Sequence, residues 1–489
     1  MAETKTVHSP LVTYASVLSL LTLCPPFVIL LPTAISWKII ACYAAFEAAL
    51  QLLLPGKMVE GPISPEGNRP VYKANGMAAY TVTLVTYLRL WLQFGIFNPS
   101  IVYDHLGEIF CALIFGSLVF CIFLYIKGHL APSSTDSGSS GNIIIDFYWG
   151  MELYPRIGKN FDIKVFTNCR FGMMSWAVLA LTYCIKQYEQ NGKVADSMLV
   201  NTILMLVYVT KFFWWEVGYW NTMDIAHDRA GFYICWGCLV WVPSVYTSPG
   251  MYLVNHPVNL GLQLALYILA AGVLSIYVNY DCDRQRQEFR RTDGKCLVWG
   301  KAPSKIVASY TTTSGETKTS LLLTSGWWGL SRHFHYVPEI LAAFFWTVPA
   351  LFNHFLPYFY VIFLTILLFD RAKRDDDRCG SKKKGFEVAY LPVGNDGIVD
   401  LVKSGCWMEL GLSLMAVVVN GSVERRNAGN LNRSLRASLK VYEDMAPPSI
   451  RFGFDRRAIE LTVREMSPLY EIMKEGIDIN GHNTDWSIH

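Results

Sequence analysis

What most limits the shape this chain can take is a succession of apolar runs, each close to the length that crosses a bilayer. A helix needs about 20 apolar residues to span the hydrocarbon core. On that ruler ten spans are expected, near 10–32, 36–55, 77–100, 105–128, 168–189, 197–223, 230–247, 258–280, 338–353 and 355–369. Cys24-Pro25-Pro26 is expected to kink the first, because proline breaks the helical hydrogen-bond ladder. Only Pro32 to Ser36 separate the first span from the second, and Asn353-His354 interrupts the apolar stretch that the last two share. The class expected is an all-α, polytopic membrane protein.

Composition removes the competing classes. A chain of 489 residues has room for two or three soluble domains, but 52% of it is hydrophobic, 14% aromatic and only 17% charged, with mean hydropathy +0.28. A net charge of +3 gives no footing for a nucleic-acid partner. The twelve cysteines are scattered, mostly inside apolar runs, which fits neither a disulfide framework nor a zinc cluster. Cys235-Trp236-Gly237-Cys238 has CxxC spacing but sits in a hydrophobic helix, where it reads as packing. The polar start, Met1 to His8, leads into the first run with no small-residue cleavage site, so that run reads as a retained helix.

Basic residues set the orientation. With the N-terminus in the cytosol, the cytosolic segments are 56–76, 129–167, 221–230, 281–337 and the tail. Asp281 to Lys318 carries Arg284, Arg286, Arg290, Arg291, Lys295, Lys301, Lys305 and Lys318, whereas the opposite loop 248–257 has no Lys or Arg. Asp281 to Arg291 reads as a helical extension of the span before it, with Arg286 and Arg290 on one face. Lys305 to Tyr310 and Lys318 to Leu323, flanking Ser314-Gly315-Glu316, read as a small cytosolic β-hairpin. After Cys379 no run is long enough to span: Leu410 to Val419 is apolar but short. Asn420-Gly421-Ser422 and Asn432-Arg433-Ser434 match the glycosylation pattern, yet a cytosolic tail does not meet the modifying enzyme.

Ionisable residues inside spans are costly and so are functional candidates. The sixth span and its exit hold Tyr208, Lys211, Glu216, Asp224, His227, Asp228 and Arg229. Asp224, His227 and Asp228 share one face if the helix runs through them. A histidine between two carboxylates is one ligand short of a typical metal site and lies beside Arg229, so no metal is expected. A proton-donating network facing a buried pocket competes there with a plain charge belt at the membrane interface. Glu47 and Arg89, in the second and third spans, can each be paired structurally. The aromatic stretch from Asp146 to Arg156 lies in a cytosolic loop, where it either covers a hydrophobic entrance or simply packs.

The densest cluster is Ser325-Gly326-Trp327-Trp328-Gly329-Leu330-Ser331-Arg332-His333-Phe334-His335-Tyr336. Two indoles, a cation, two imidazoles and a phenol at a membrane surface serve either as an interfacial anchor or as a binding site. Arg286 and Arg290 precede it and Asp370-Arg371-Ala372-Lys373-Arg374-Asp375 follows it, all on one membrane face. Arginines for phosphate and an indole for stacking suit a polyanionic ligand with a flat ring. The chain has no GxGxxG and no GxxxxGK[ST], so a dinucleotide would not be held by a Rossmann or P-loop device.

Gly326-Trp327-Trp328-Gly329 with Arg332-His333-x-His335-Tyr336, the Asp146 to Arg156 stretch, and Asp370-Arg371-x-x-Arg374-Asp375 resemble the integral-membrane sterol reductases. That family includes the sterol C14 and C24(28) reductases and the lamin B receptor. Cys296-Leu297-Val298-Trp299-Gly300 and Ser309-Tyr310-Thr311 are similar to its 7-dehydrocholesterol reductase branch, plant type in particular, and Met223 to Arg229 also resembles the family. The resemblance implies a ten-helix fold of the endoplasmic reticulum membrane over residues 1–379, with NADPH and sterol sites mainly in 200–379. The expected cofactor contacts are Arg286, Arg290, Trp328, His335, Tyr336, Arg371 and Asp375. His335 stands where many relatives carry Asn, and Arg286 where others carry Lys.

The implied reaction is NADPH-dependent reduction of the C7=C8 double bond of a 5,7-diene sterol, on the route to plant brassinosteroid precursors. Protonation precedes hydride transfer, because no carbonyl polarises the alkene. Glu216, Asp224, His227 and Asp228, with Tyr208 or Tyr246, are the candidate donors and relays. The implied partners are the sterol substrate, the lipid bilayer and other sterol-biosynthesis enzymes. Residues 380–489 form a divergent cytosolic tail, in which Lys383 stands where the family has Tyr. Two alternatives stay open: reduction of a C14 or C24(28) bond, and, favoured by that departure, a non-catalytic sterol-binding paralogue.

Overall fold

The computed structural model describes residues 32–64, 66–311, 317–331 and 333–381, with side chains for all of these but 308–311, 317–318, 320 and 373–381. The first expected span up to residue 31, the hairpin turn at Ser314-Gly315-Glu316, Arg332 and the tail from 382 lie outside the described residues. The main helices are Ala34–Leu53, Gly76–Leu92, Leu106–Leu130, Met174–Asn191, Asp196–Trp214, Leu262–Arg291, Tyr336–Thr347 and Phe359–Ser381. Among the described residues, Leu106–Leu130, Asp196–Trp214 and Leu262–Arg291 are long and apolar enough to cross a membrane. On the first of these, Phe115, Val119, Ile122 and Ile126 follow helical spacing and are exposed, while Ile109, Leu113, Cys121 and Leu124 are buried. A helix apolar on every side with one side uncovered is built for lipid contact.

Among the described residues three two-stranded antiparallel hairpins accompany the helices: Lys57–Glu60 with Val71–Ala74, Arg156–Ile157 with Phe161–Asp162, and Lys305–Thr311 with Thr317–Leu323. Only the last was expected, and the chain is mostly helical rather than purely so. Tyr148, Phe171, Tyr183, Met198, Phe232, Trp236 and Leu253 belong to one continuous buried cluster that joins the helices to the 129–167 segment.

Several expected spans are interrupted. The helix expected to reach residue 100 ends at Leu92, and Asn98-Pro99 starts a separate short helix, Ser100–Asp104. The helix expected to reach 223 ends at Trp214. There Trp215 leaves helical geometry (ψ 20°), and its indole N–H donates to Gln287 Oε1 at 2.9 Å. Beyond it Glu216–Tyr219 and Met223–Ala226 make one turn each. The expectation that one continuous helix carries Asp224, His227 and Asp228 is therefore corrected: the turn ends at Ala226, with His227 buckled to φ −130°. Phe166–Met173 and Gly237–Tyr246 are π-helical and pack on each other, the second around Pro243, which has no N–H to give the ladder.

Candidate active site

Glu216 sits in a buried polar clamp. Its carboxylate pairs with the fully buried Arg170 guanidinium through Oε1, and its Oε2 accepts from the backbone N–H of Gly76 at 2.9 Å. Arg170 also donates to Asn75 Oδ1 at 2.8 Å, and Asn75 Nδ2 reaches the carbonyls of Leu50, Gln51 and Leu54. The N-terminus of Gly76–Leu92 leaves N–H groups unsatisfied, so a carboxylate there both caps the helix and complements its dipole. Glu47 accepts from Thr83 Oγ1 at 2.6 Å and lies within electrostatic reach of Arg170. Glu47 of the second span and Glu216 of the sixth thus both lie within reach of Arg170 of the fifth.

The Trp-Trp segment docks on the helix Leu262–Arg291. Gly326 turns the chain at φ +64°, and a β-carbon there would meet the Gln285 side chain. Trp327 Nε1 donates to Asp281 Oδ2 and Trp328 Nε1 to the Cys282 carbonyl, each at 2.8 Å. Trp327 stacks on Phe334 at 5.3 Å, which fixes the return of the chain. The Arg286 guanidinium then lies 4.7 Å from the Trp328 ring centre, a cation over an indole face. His335 packs 5.0 Å from Trp328 and 4.3 Å from Tyr336, and its carbonyl accepts from Asn279 Nδ2 at 2.9 Å. Burial, Arg286, His333 and Lys211 together hold the His335 imidazole well below its ordinary pKa, so it is neutral at pH 7. Arg290 is exposed one turn beyond Arg286.

Arg371 reaches back from the last helix to Asp224, donating to Oδ1 at 2.7 Å, and has Tyr233, Tyr246 and Tyr336 within interaction range. Asp224 Oδ2 accepts from Tyr219 Oη at 3.4 Å. Asp228 is buried and His227 exposed, so the three residues of this turn part company. The side chain of Asp375 lies outside the described residues.

An aromatic cluster is linked to these groups through Tyr208, beside Lys211, and Tyr246, beside Arg371. Trp176 packs against Tyr208 at 5.2 Å, Tyr246 at 5.3 Å, Trp346 at 5.6 Å and Tyr360 at 6.0 Å, and Tyr246 meets Tyr360 at 4.4 Å. Tyr208 Oη donates to Glu339, a carboxylate on the first turn of Tyr336–Thr347. Lys211 hydrogen-bonds Asn279 Oδ1 and lies 5.1 Å from the Tyr208 ring centre. Tyr208, Tyr246, Arg286, Trp328, His335, Tyr336, Arg371 and Asp224 thus form one network, connected through Lys211 and Asn279, and Glu216 belongs to a separate clamp. Sequence reasoning missed Glu339 and Asn279. The available signal for Glu339 was an acid at the second position of the span expected over 338–353.

Comparison with known proteins gives this network a context. The model of the ergosterol biosynthesis ERG4/ERG24 family matches residues 8–388. A 7-dehydrocholesterol reductase of Arabidopsis thaliana is 80% identical over 414 residues, covering 78% of this chain and 95% of the relative. That of Xenopus laevis is 37% identical over 365 residues, covering 71% of this chain and 77% of the relative. A Delta(14)-sterol reductase of Methylotuvimicrobium alcaliphilum is 36% identical over 351 residues, covering 71% and 79%.

Proposed function

The chain belongs to the ergosterol biosynthesis ERG4/ERG24 family, and from that premise we propose that it reduces the C7=C8 double bond of 5,7-diene sterols with NADPH. The observation that carries this reading is the 80% identity to the Arabidopsis 7-dehydrocholesterol reductase, spread over 95% of that protein.

The residues present suit the cofactor. His335 Nδ1 and Arg371 Nε are buried without a hydrogen-bond partner among the described residues, and buried polar atoms of this kind favour a bound polar ligand. Arg286, with Arg290 beside it, offers charge for phosphate, and Trp328 and Tyr336 offer flat faces for a ring. Asp375, one turn beyond Arg371 on the same helix, completes the proposed set. NADPH, when bound, supplies the hydride.

The chain's own part is to make the alkene accept it. A ring double bond with no carbonyl to polarise it must first gain a proton, which leaves a tertiary cation. Tyr208 is the donor we favour: its hydroxyl, which rests against Glu339 beside the aromatic cluster, gives its proton to the alkene carbon and is left as a tyrosinate. Trp176, Tyr246, Trp346 and Tyr360 pack together beside Tyr208, electron-rich surroundings suited to a carbocation. Asp224, His227 and Asp228 stand nearer the cytosolic side, where Asp224 orients Arg371. Glu216 is committed to Arg170 and acts as a brace.

The same reading assigns ten spans in the endoplasmic reticulum membrane, a reductase domain over residues 1–379 and a cytosolic tail over 380–489. Other sterol-biosynthesis enzymes are its natural neighbours. Expression of the full chain in cells that lack their own Δ7-reductase, with the sterols profiled, tests it. Conversion of the 5,7-diene to the Δ5 sterol is expected. A diene pool that persists at normal protein levels would overturn the assignment.

A further inference from the structure

Lys164 is 1% exposed, far from the water an ammonium prefers, and it appears in none of the roles above. Its Nζ donates to two backbone carbonyls, Ile225 at 2.8 Å and Asp228 at 2.6 Å. Both belong to the segment where the Met223–Ala226 turn breaks off. In a continuing helix those carbonyls would accept from N–H groups four residues on. The helix stops, and the lysine stands in for the missing turn. The carboxylates of Asp162, Asp224 and Asp228 surround the ammonium within electrostatic reach.

The rest of the 129–167 segment grips the same stretch. Ala230 N–H donates to the Glu152 carbonyl at 2.9 Å, and Arg229 reaches the Gly138 carbonyl at 2.7 Å. Lys127 at 2.7 Å and the Ser133 N–H at 2.6 Å hold the Glu152 carboxylate in turn. On the far side of the turn lies the 2.7 Å contact from Arg371 to Asp224. Lys164 is thus the cation at the break itself, where the backbone presents Asp224 to the helix Phe359–Ser381.

We propose that Lys164 is a positioning residue for the cofactor side of the pocket: by capping the Ile225 and Asp228 carbonyls it holds Asp224 where it orients Arg371. This rests on the assignment of Arg371 to NADPH made above. A methionine at 164 fills the space but leaves both carbonyls unsatisfied, whereas a glutamine keeps an N–H donor.

The test compares the full-length wild type with K164M, K164Q, D224N and K164Q/D224N, all purified in detergent. NADPH affinity is read by titration, and the KM values for NADPH and sterol by turnover. About a tenfold weaker NADPH affinity is expected for K164M and about threefold for K164Q, the scale of coupling between residues in one network. The sterol KM should hold, and kcat should fall less than the NADPH KM rises. K164Q/D224N should bind NADPH no more weakly than D224N alone, because both changes act through one carboxylate. Should K164M fail to fold, K164Q and the double-variant comparison decide. Unchanged NADPH affinity in K164Q, or losses that multiply in the double variant, would overturn the inference. A wild type that fails to bind NADPH would instead overturn the cofactor reading on which it stands.

Discussion

A carboxylate among apolar side chains needs either a proton or a cation, and Glu216 has the cation. Arg170 and the Gly76 N–H occupy its two oxygens, an arrangement that suits a structural tie. Removing one member of such a pair leaves a buried charge alone, a change that costs about 3–5 kcal/mol. His335 shows the opposite economy. It is held neutral by burial and by the positive field of Arg286 and Lys211, with His333 alongside. Its folded pKa lies below the unfolded value of about 6.5, so under pH 6.5 the unfolded chain binds more protons than the fold. Its contribution to stability is complete above that pH and is lost as the pH falls through it. Thermal unfolding in detergent from pH 7.5 to 5 should show a shallower acid loss for H335N than for the wild type. Parallel curves would mean that His335 is not held neutral. Among these residues the sequence displayed the candidates but not their partners. Lys211 and Glu216 are five apart in the chain, yet one binds Asn279 and the other Arg170. Partners 68 and 46 residues away leave no periodic signal.

At the scale of elements, hydropathy marked where helices run and failed where they stop. The stop at Trp214 depends on an indole hydrogen-bonded to Gln287, a contact that no local pattern announces. The extension to Arg291 was legible because charge follows apolar residues without a breaker. The Trp-Trp segment was legible as a cluster, but its construction was not: both indole N–H groups are spent on the helix Leu262–Arg291, which leaves the ring faces for Arg286, His335 and Phe334. Gly326 makes that docking possible. A β-carbon there would sit 2.6 Å from Val298 Cγ1 on a backbone at φ +64°. G326A should therefore lower stability by about 1–3 kcal/mol, since both the left-handed backbone and the contact are strained. It should also shift the tryptophan emission as Trp327 and Trp328 lift off the helix. An unchanged unfolding midpoint with unchanged emission would show that the turn tolerates a side chain.

For the whole molecule, the arrangement of charge makes a claim about sidedness. The helix Leu262–Arg291 has 30 residues and so is about 45 Å long, against about 30 Å of hydrocarbon. Its apolar part ends near Tyr280, and the remaining turns carry Arg284, Arg286, Arg290 and Arg291 clear of the bilayer. One crossing thus separates His256 from Lys295. An odd number of expected spans, 168–189, 197–223 and 230–247, separates His256 from Ser140. Ser140 and Lys295 should then share a side and His256 should face the other, and all three positions are exposed. In sealed microsomes an impermeant maleimide should reach S140C and K295C directly, and H256C only after permeabilisation. The proposed function depends on this parity. Arg286, Trp328 and Arg371 can serve one cofactor only if the ends of two helices and the loop between them emerge on one face, where a water-soluble dinucleotide can reach them. Labelling of H256C and K295C from the same side would mean that the helix Leu262–Arg291 does not cross, and would overturn the ten-span arrangement that puts Arg286 on the side of the cofactor.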